Sequence, residues 1–431
     1  MQELLFLAHR IPYPPNKGDK IRSYHILKYL AGKYRVHLGT FVDDEHDWKH
    51  IPVVKDLCGE THFVALNSLT ARLRSAKGLF NGDALTVPYY YDTRMREWVT
   101  RLLENNPVRR VLVFSSGMAQ YVAGQRWSNI RRVIDFVDVD SDKWRQYAKS
   151  KSWPMNAIYQ REARCLEIYE RQIATEFDAS VLVSQDEATL FKTLAPESAG
   201  RIDYLNNGVD SDYFSPERLY ANPYLAGEKV LVFTGAMDYW ANVDAVTWFA
   251  QKVFPHVYQR DPYARFYIVG GRPPLAVKKL ENIPGIYVTG AVPDVRPYIA
   301  HAVAAVAPLR IARGIQNKVL EAMAMAKPVL ATSAAVEGIE SGMEGLNAGF
   351  NAGFNEDTGI VVADDATACA EHALRMLPGG YNAAGRACVL KYYTWSENLM
   401  RLDRLLEGEI SPALNSSAHI VSQATAMDNG R

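Results

Sequence analysis

The stretch Val306-Ala-Pro-Leu-Arg-Ile-Ala-Arg-Gly-Ile-Gln-Asn-Lys-Val-Leu-Glu-Ala-Met-Ala-Met-Ala-Lys-Pro-Val-Leu-Ala331 decides the fold. It reads as a buried strand, a basic loop with Arg310, Arg313 and Gly314, a short helix and a second buried strand. Asn317 is placed as the helix N-cap, and Pro328 stops the helix before the next apolar run. Val319, Leu320, Met323 and Ala324 recur at helical spacing and face a core. Lys318 and Glu321 are left on the other side, three apart in the first turn. A helix start carries partial positive charge and free N–H groups, so it suits phosphate. With loop arginines, a lysine at the tip and a carboxylate beside it, the site suits a nucleotide diphosphate and its ribose hydroxyls. The plainer alternative is that Glu321 only complements the helix dipole and the arginines are solvated.

Working outward, 431 residues imply two domains of roughly 200 residues each. Lys plus Arg balance Asp plus Glu at 48 each, so no overall field favours nucleic acid. Cys58, Cys165, Cys369 and Cys388 lie far apart, without the spacing of a zinc or redox pair, and read as reduced cytosolic thiols. The start, Met1-Gln-Glu-Leu-Leu-Phe-Leu-Ala, lacks a basic region and its apolar run is short for a signal peptide. No apolar stretch has the length of a membrane span. A cytoplasmic chain, able to lie peripherally on the inner membrane face, is expected.

Leu4–Ala8, Val36–Phe41, Thr61–Leu66, Val111–Phe114, Val133–Val137, Ser180–Val183 and Ile202–Leu205 are apolar runs separated by helical segments, the pattern of a parallel α/β sheet. The first leads into a proline-rich loop, His9 to Asp19, holding Gly18, and a helix through Ile21, Tyr24, Leu27 and Leu30. Ligands bind at such loops in doubly wound sheets, although Gly18 also fits a simple turn. Asp135-Phe-Val-Asp-Val-Asp-Ser-Asp142 places Asp138 and Asp140 on one strand face, as a general base or cation pair, or else as caps for a helix beginning near Lys143. A helix over 69–80 carries Leu69, Leu73, Ala76 and Phe80 on one stripe, with Arg72, Arg74 and Lys77 away from it. It suits an anionic membrane surface or an ordinary solvated face.

The second half repeats the theme with runs at Val230–Thr234, Phe266–Val269, Ile286–Thr289, Val303–Ala307, Val329–Ala331 and Ile360–Val362. Gly235 follows the first and Gly270-Gly-Arg272 the second, both candidate phosphate loops. Glu340–Asp357 reads as a glycine-rich flexible loop, and the chain from 409 to 431 as a disordered tail.

Asn207-Gly-Val-Asp-Ser-Asp-Tyr-Phe-Ser-Pro216, Leu320-Glu-Ala-Met-Ala324 and Pro328-Val329 together resemble the retaining glycosyltransferases of family 4. The opening through Tyr24, Asp135–Tyr147 and Gly235–Phe254 look like the sugar transferases associated with exosortase (PEP-CTERM) exopolysaccharide systems. The resemblance implies a GT-B fold, two Rossmann-like domains facing across a cleft. Residues 1–206 would form the acceptor side, with a helix over 394–408 packing back on it, and 207–393 the donor domain. It further implies that Glu321 holds the donor ribose, that the helix from Lys318 sits at the diphosphate, and that Gly18 lies in a loop closing over phosphates and sugar. No metal and no cofactor are expected, and an N-terminal acid faces the sugar or acceptor, with Asp138 and Asp140 the catalytic candidates. Two departures stand out: Arg313 occupies the place of a family glutamate, and Ala236 with Ala241-Asn242 the place of an arginine and lysine. Gly235, Asn242, Arg272, Arg310, Arg313 and Lys318 then line the donor side. The expected partners are a nucleoside-diphosphate sugar and a glycan or polyprenyl-diphosphate-linked acceptor. A nucleotide-sugar 2-epimerase of the same fold, or a non-catalytic nucleotide-binding subunit, are the rivals.

Overall fold

A computed structural model describes residues 1–15, 17–76, 78, 82–149, 151–312, 315–340, 353–355 and 358–408. The chain divides into two compact units, Met1–Leu205 joined by the segment from Leu399 onward, and Asn206–Asn398.

The first unit holds β1 (Glu3–Ala8), β2 (Arg35–Val42), β3 (Thr61–Ala65), β4 (Arg110–Phe114), β5 (Arg131–Val137), β6 (Ala179–Leu182) and β7 (Ile202–Tyr204). They form one parallel sheet in the order β3-β2-β1-β4-β5-β6-β7. The second unit holds β8 (Lys229–Thr234), β9 (Ala264–Val269), β10 (Ile286–Gly290), β11 (Ala304–Ala307), β12 (Val329–Ala331), β13 (Gly353–Asn355) and β14 (Ile360–Val362). Its order, β10-β9-β8-β11-β12-β14-β13, repeats the first winding and adds one antiparallel edge strand, β13 on β14. Each sheet therefore reverses direction beside its own first strand, between β1 and β4 and between β8 and β11. Loops on either side of such a reversal part at the carboxyl ends of the strands and leave a crevice there. Strands covered on both faces must be apolar throughout, and Leu4 to Ala8, Val111 to Val113 and Val230 to Phe233 are almost wholly buried.

Helix Gly18–Ala31 departs from the expected face. Leu27 and Leu30 are buried as expected, but Ile26, Lys20 and Arg22 are buried too, while Ile21 and Tyr24 are only half-buried. The reason is a pair of acids on the inner side: Lys20 pairs with Asp47, and Arg22 Nε donates to Asp135 Oδ2 at 2.8 Å. Arg22 Nη1 also donates to the Leu205 carbonyl at 2.7 Å. A buried charge persists only where it is paired and hydrogen-bonded, so this helix is pinned in rotation by charge as well as by leucine. Asp135 is thereby a structural acid.

Within Glu340–Asp357, expected to be a flexible loop, Gly353–Asn355 pairs with β14 and the helix Ser333–Glu340 precedes it. The remainder, and the tail 409–431, lie outside the described residues. Among the described residues no helix is long and apolar enough to cross a membrane.

The Asn207-Gly-Val-Asp motif runs beside the segment before the last helix, Trp395–Glu407: Val209 N donates to the Tyr393 carbonyl at 2.7 Å, and Val209 bridges Thr394. A Cβ on Gly208 would stand 2.5 Å from the Trp395 backbone nitrogen. Glycine is required there by close backbone approach. Gly208→Ala is expected to destabilise the chain by about 1–3 kcal/mol, the range for inserting a group into packed space, measured by thermal unfolding against the native chain.

Candidate functional site

Two groups of residues occupy the two sheet reversals. In the second unit, β8 ends at Thr234, just before Gly235, and β11 leads through Pro308 to the helix Asn317–Ala324. Val319, Leu320, Met323 and Ala324 are buried as the spacing predicts, joined by Ala322. That burial turns Lys318 and Glu321 to the opposite side. Asn317 is not the N-cap: Gln316 holds that place, without a side-chain cap bond. As the first helical residue, Asn317 has a buried Oδ1 that finds no hydrogen-bond partner among the described residues.

Lys318 Nζ donates to Asn242 Oδ1 at 3.1 Å and stands 5.2 Å from the centre of the Phe233 ring. Asn242 is itself held, its Nδ2 donating to the Ala236 carbonyl at 2.8 Å. A Cβ on Gly235 would meet that Nδ2 at 2.9 Å, and one on Gly270 would run into the Gly235 carbonyl, so both glycines are steric necessities. Burial pulls the Lys318 ammonium down to about 8, with Glu321 opposing the change. Burial likewise pushes the Glu321 carboxyl up to about 7, with Lys318 opposing it. Each ion opposes the other's shift without cancelling it, and the side-chain acceptor of Lys318 is a neutral amide. Such perturbed, poorly partnered groups at the end of a strand mark a binding site.

The arginines behave differently. Arg310 Nε donates to Asp244 Oδ2 at 3.0 Å, and Arg272 Nη1 lies 2.7 Å from Asp238 Oδ2. Both are exposed, and each is neutralised by an acid, Arg272 by Asp238 just before the helix Trp240–Trp248 and Arg310 by Asp244 within it. The structure thus brings Gly235, Asn242, Lys318 and Glu321 together and gives Arg272 and Arg310 partners of their own. Arg313 lies outside the described residues.

In the first unit a cavity of 610 Å³ opens at the carboxyl ends of β1, β4 and β5, with His9, Ser115 and Val137 in its wall. Ser115 and Val137 have φ of 79° and 71°. A β-branched residue in this left-handed region is strained, and such strain collects at functional positions. The turn at Val137 corrects the expected strand geometry. Asp138 lies beyond the strand, and Asp140 opens the helix Asp140–Lys149, three residues earlier than expected. The two acids still converge, through Lys143, which pairs with Asp138 and stands 3.7 Å from Asp140. Burial alone depresses the Lys143 ammonium, but Asp138 and Asp140 outweigh it and hold it above its usual range. Burial pushes the Asp140 carboxyl up, against the pull of Lys143.

His9 escaped the sequence reading. It is the first residue after β1, a position where side chains face the crevice, and that was the available signal. Its Nε2 lies 3.4 Å from Asp19 Oδ2, its ring stacks on Phe114 with centroids 5.7 Å apart, and its buried Nδ1 is unpartnered. Asp19 is held well below the usual carboxylate range: burial opposes this, but the His9 hydrogen bond and the Arg10 charge prevail. Gly18, just before it, would meet nothing with a Cβ added. Glu162, also in the wall, is committed elsewhere, accepting from the Leu85 and Thr86 backbone N–H groups at 2.6 and 3.0 Å.

Residues 228–378 match the family described as Glycosyl transferases group 1. That span contains Gly235, Asn242, Lys318 and Glu321, and the match supports a glycosyltransferase enzyme. No curated protein sequence matches the chain. Among solved structures, sucrose-phosphate synthase from Thermosynechococcus elongatus is similar at 15% identity, covering 95% of this chain and 99% of its own, with a TM-score of 0.59. Anabaena Alr3699/HepE in complex with UDP-glucose is similar at 14% identity, over 95% and 100%, with a TM-score of 0.61. A glycosyltransferase from Rickettsia africae shows 15% identity over 95% and 99%, with a TM-score of 0.60. At such identities the likeness shows the fold, GT-B, and nothing finer.

The raised Glu321 carboxyl carries a pH signature. The folded chain keeps this proton between about 4.5 and 7, where the unfolded chain has lost it, so stability contributed by the group falls as pH rises through that window. Relative to the native chain, Glu321→Gln is expected to gain stability progressively across that range and to hold a constant gain above it. Urea unfolding at stepped pH checks this; a difference independent of pH contradicts it.

Proposed function

We propose that the chain transfers a sugar from a nucleoside-diphosphate-sugar donor, with retention of configuration, to a glycan or polyprenyl-diphosphate-linked acceptor in exopolysaccharide assembly. The observation that carries this is the under-compensated Lys318–Glu321 pair at the head of helix Asn317–Ala324, inside the matched region. Lys318 supplies positive potential to the diphosphate, and Glu321 with the free Asn317 Oδ1 accepts ribose hydroxyls. HepE, which shares the fold, has been crystallised with UDP and UDP-glucose, and this supports the donor class.

The anomeric C–O bond to the diphosphate breaks, with the electron pair leaving on phosphate. The acceptor hydroxyl attacks from the same face, and the departing phosphate oxygen takes its proton. The protein contributes preorganised charge on the developing diphosphate and alignment of the hydroxyl. Arg272 and Arg310, both on exposed side chains, exchange Asp238 and Asp244 for phosphate oxygens when the donor binds. Asp138 and Asp140, fixed by Lys143, hold hydroxyls of the reacting sugars. This reading needs neither metal nor organic cofactor.

Membrane contact through the 69–80 helix belongs to the same proposal. The helix is described as Ser68–Ala76, and its Leu69 and Leu73 are 68% and 72% exposed, while Ala71 and Ser75 face inward. Arg74 is tied down, its Nε and Nη2 donating to the Pro88 and Tyr89 carbonyls at 2.7 and 2.9 Å. Lys77 and Phe80 lie outside the described residues. An outward leucine pair beside a basic residue is the arrangement of an interfacial helix.

Two outcomes test the reading. A panel of nucleotide sugars should include one that raises the melting temperature, and Lys318→Ala should weaken its calorimetric affinity by about tenfold or more with little change in melting. Unchanged affinity would reject the assignment. The double variant Leu69→Glu/Leu73→Glu should lose co-sedimentation with phosphatidylglycerol vesicles that the native chain shows; equal binding by both would remove the helix from the membrane.

A further inference from the structure

The first unit holds a second cavity, of 540 Å³, within the range of small-molecule sites. It shares walls with the first. Along the segment 85–91, Leu85, Thr86, Tyr89 and Tyr90 line the first cavity, and Val87, Pro88 and Tyr91 the second. Helix Met155–Glu176 divides in the same way, with Tyr159 and Glu162 lining one, and Cys165, Ile168 and Tyr169 the other. We propose that the second cavity is an effector site for a small organic anion, a carboxylate or a phosphate monoester, which stiffens the wall shared with the first. The site stands without the transferase reading; only what the effector controls rests on it.

Its cationic groups keep donors free. Arg74 donates through Nε and Nη2 to the Pro88 and Tyr89 carbonyls at 2.7 and 2.9 Å, which leaves the Nη1 hydrogens. Arg96 lies over the Tyr91 ring, 5.2 Å from its centre, with one long hydrogen bond from Nη2 to the Gln120 carbonyl at 3.4 Å. A guanidinium stacked on a ring keeps its N–H edge available for an oxyanion. A third, Arg161, stands close by, its Nη1 donating to the Asp83 carbonyl at 3.1 Å. Asp83, an exposed residue, is the only acid among the described residues of this wall. In the first cavity acids outnumber arginine and lysine; here the balance is reversed.

Two further features point to an organic occupant. The Tyr169 hydroxyl is buried in this wall and meets no partner at hydrogen-bonding geometry, with the Gln120 backbone lying near it. Burial keeps its proton on, so it offers a donor, and buried hydroxyls are ordinarily hydrogen-bonded. Ile168 is 64% exposed and, with Val87, Pro88 and the Tyr91 ring, gives the cavity an apolar side. A bare inorganic ion leaves that surface wet; an anion with a carbon body covers it.

The route to the first cavity is short. Segment 85–91 hangs from side chains: Arg74 holds residues 88 and 89, Gln120 Nε2 donates to the Val87 carbonyl at 2.7 Å, and the Tyr121 hydroxyl to the Tyr90 carbonyl at 2.6 Å. An anion bridging Arg74 and Arg96 ties this segment to helix Thr93–Asn105 and slows its opening. Such coupling is reciprocal, so a ligand that steadies the same segment from the first cavity binds together with the anion.

Cys165, half-buried in the cavity wall, makes the site readable, and Cys58, outside it, is the control. Alkylation of the full chain by iodoacetamide is followed by peptide mass spectrometry, with sodium benzoate, phenyl phosphate and neutral benzyl alcohol as probes. At least one anion should slow the reaction of Cys165 about fivefold at about four times its dissociation constant, and benzyl alcohol should not. Which anion acts separates a carboxylate effector from a phosphate ester. Arg96→Gln should weaken the anion by about tenfold and Tyr169→Phe by about fivefold, the order of one charged and one neutral hydrogen bond. Amide hydrogen exchange over 85–91 should slow when the anion binds, and where Cys165 reacts too slowly to follow, this exchange carries the test alone. The inference is overturned if neither anion protects the folded chain, if benzyl alcohol or Cys58 behaves the same way, if both variants bind as tightly as the native chain, or if exchange over 85–91 does not change. UDP binding is measured on the same samples. Loss of anion binding with UDP bound normally defeats only this inference; failure of UDP to bind, with anion protection intact, defeats the donor reading instead.

Discussion

A lysine and a glutamate held largely out of water, the lysine resting on one asparagine, set the terms for this molecule. Removing charges from water is expensive, and proteins ordinarily repay the cost with close pairing and full hydrogen bonding. The same chain pairs charges more closely elsewhere: the buried Arg22 donates to the Asp135 carboxylate and to the Leu205 carbonyl. At Lys318 and Glu321 the repayment is partial, and the unpartnered Asn317 Oδ1 stands beside them in sequence. The backbone around them is shaped to the same end. Gly270 must lack a side chain for β9 to pass the Gly235 carbonyl, and Asn242 is anchored to Ala236 before it can hold Lys318.

Both units use one winding and place their chemistry at the same topological point, yet the two points differ in character. The reversal in the second unit is cationic and hydrogen-bonding, suited to an anion. The reversal in the first is aromatic, strained at Ser115 and Val137, and richer in acids than in bases. A single architecture thus supplies two unlike surfaces. The division follows from the residues just beyond each strand and not from the strands themselves, which are interchangeable apolar runs. Loops bear the function because the sheet beneath holds their ends rigidly.

Every parallel strand was legible from the sequence because strands buried on both faces must be apolar along their length. β13 was not, since Gly353–Asn355 sits among glycines and asparagines that signal a loop, and it pairs only at an edge. The rotation of helix Gly18–Ala31 was hidden for another reason. Lys20 and Arg22 look like solvent-facing residues until Asp47 and Asp135, distant in sequence, are seen to meet them. The same distance conceals the pairing of Arg310 with Asp244. The Asp138–Asp140 pair was found but misplaced on a strand face, because the positive φ at Val137 has no signature in a β-branched residue. His9 was passed over as a loop residue, although its place directly after β1 marked it. The Lys318–Glu321 pair was readable because helical periodicity alone turns both away from the core.

The most direct measurement is a crystal structure of the chain with a bound uridine or guanosine diphosphate sugar. The account predicts phosphate oxygens within hydrogen-bonding distance of Lys318 Nζ, a ribose hydroxyl on the Glu321 carboxylate, and Asn317 Oδ1 no longer without a partner. A nucleotide found elsewhere, with Lys318 still on Asn242 and the Glu321 carboxylate still bare, would contradict it.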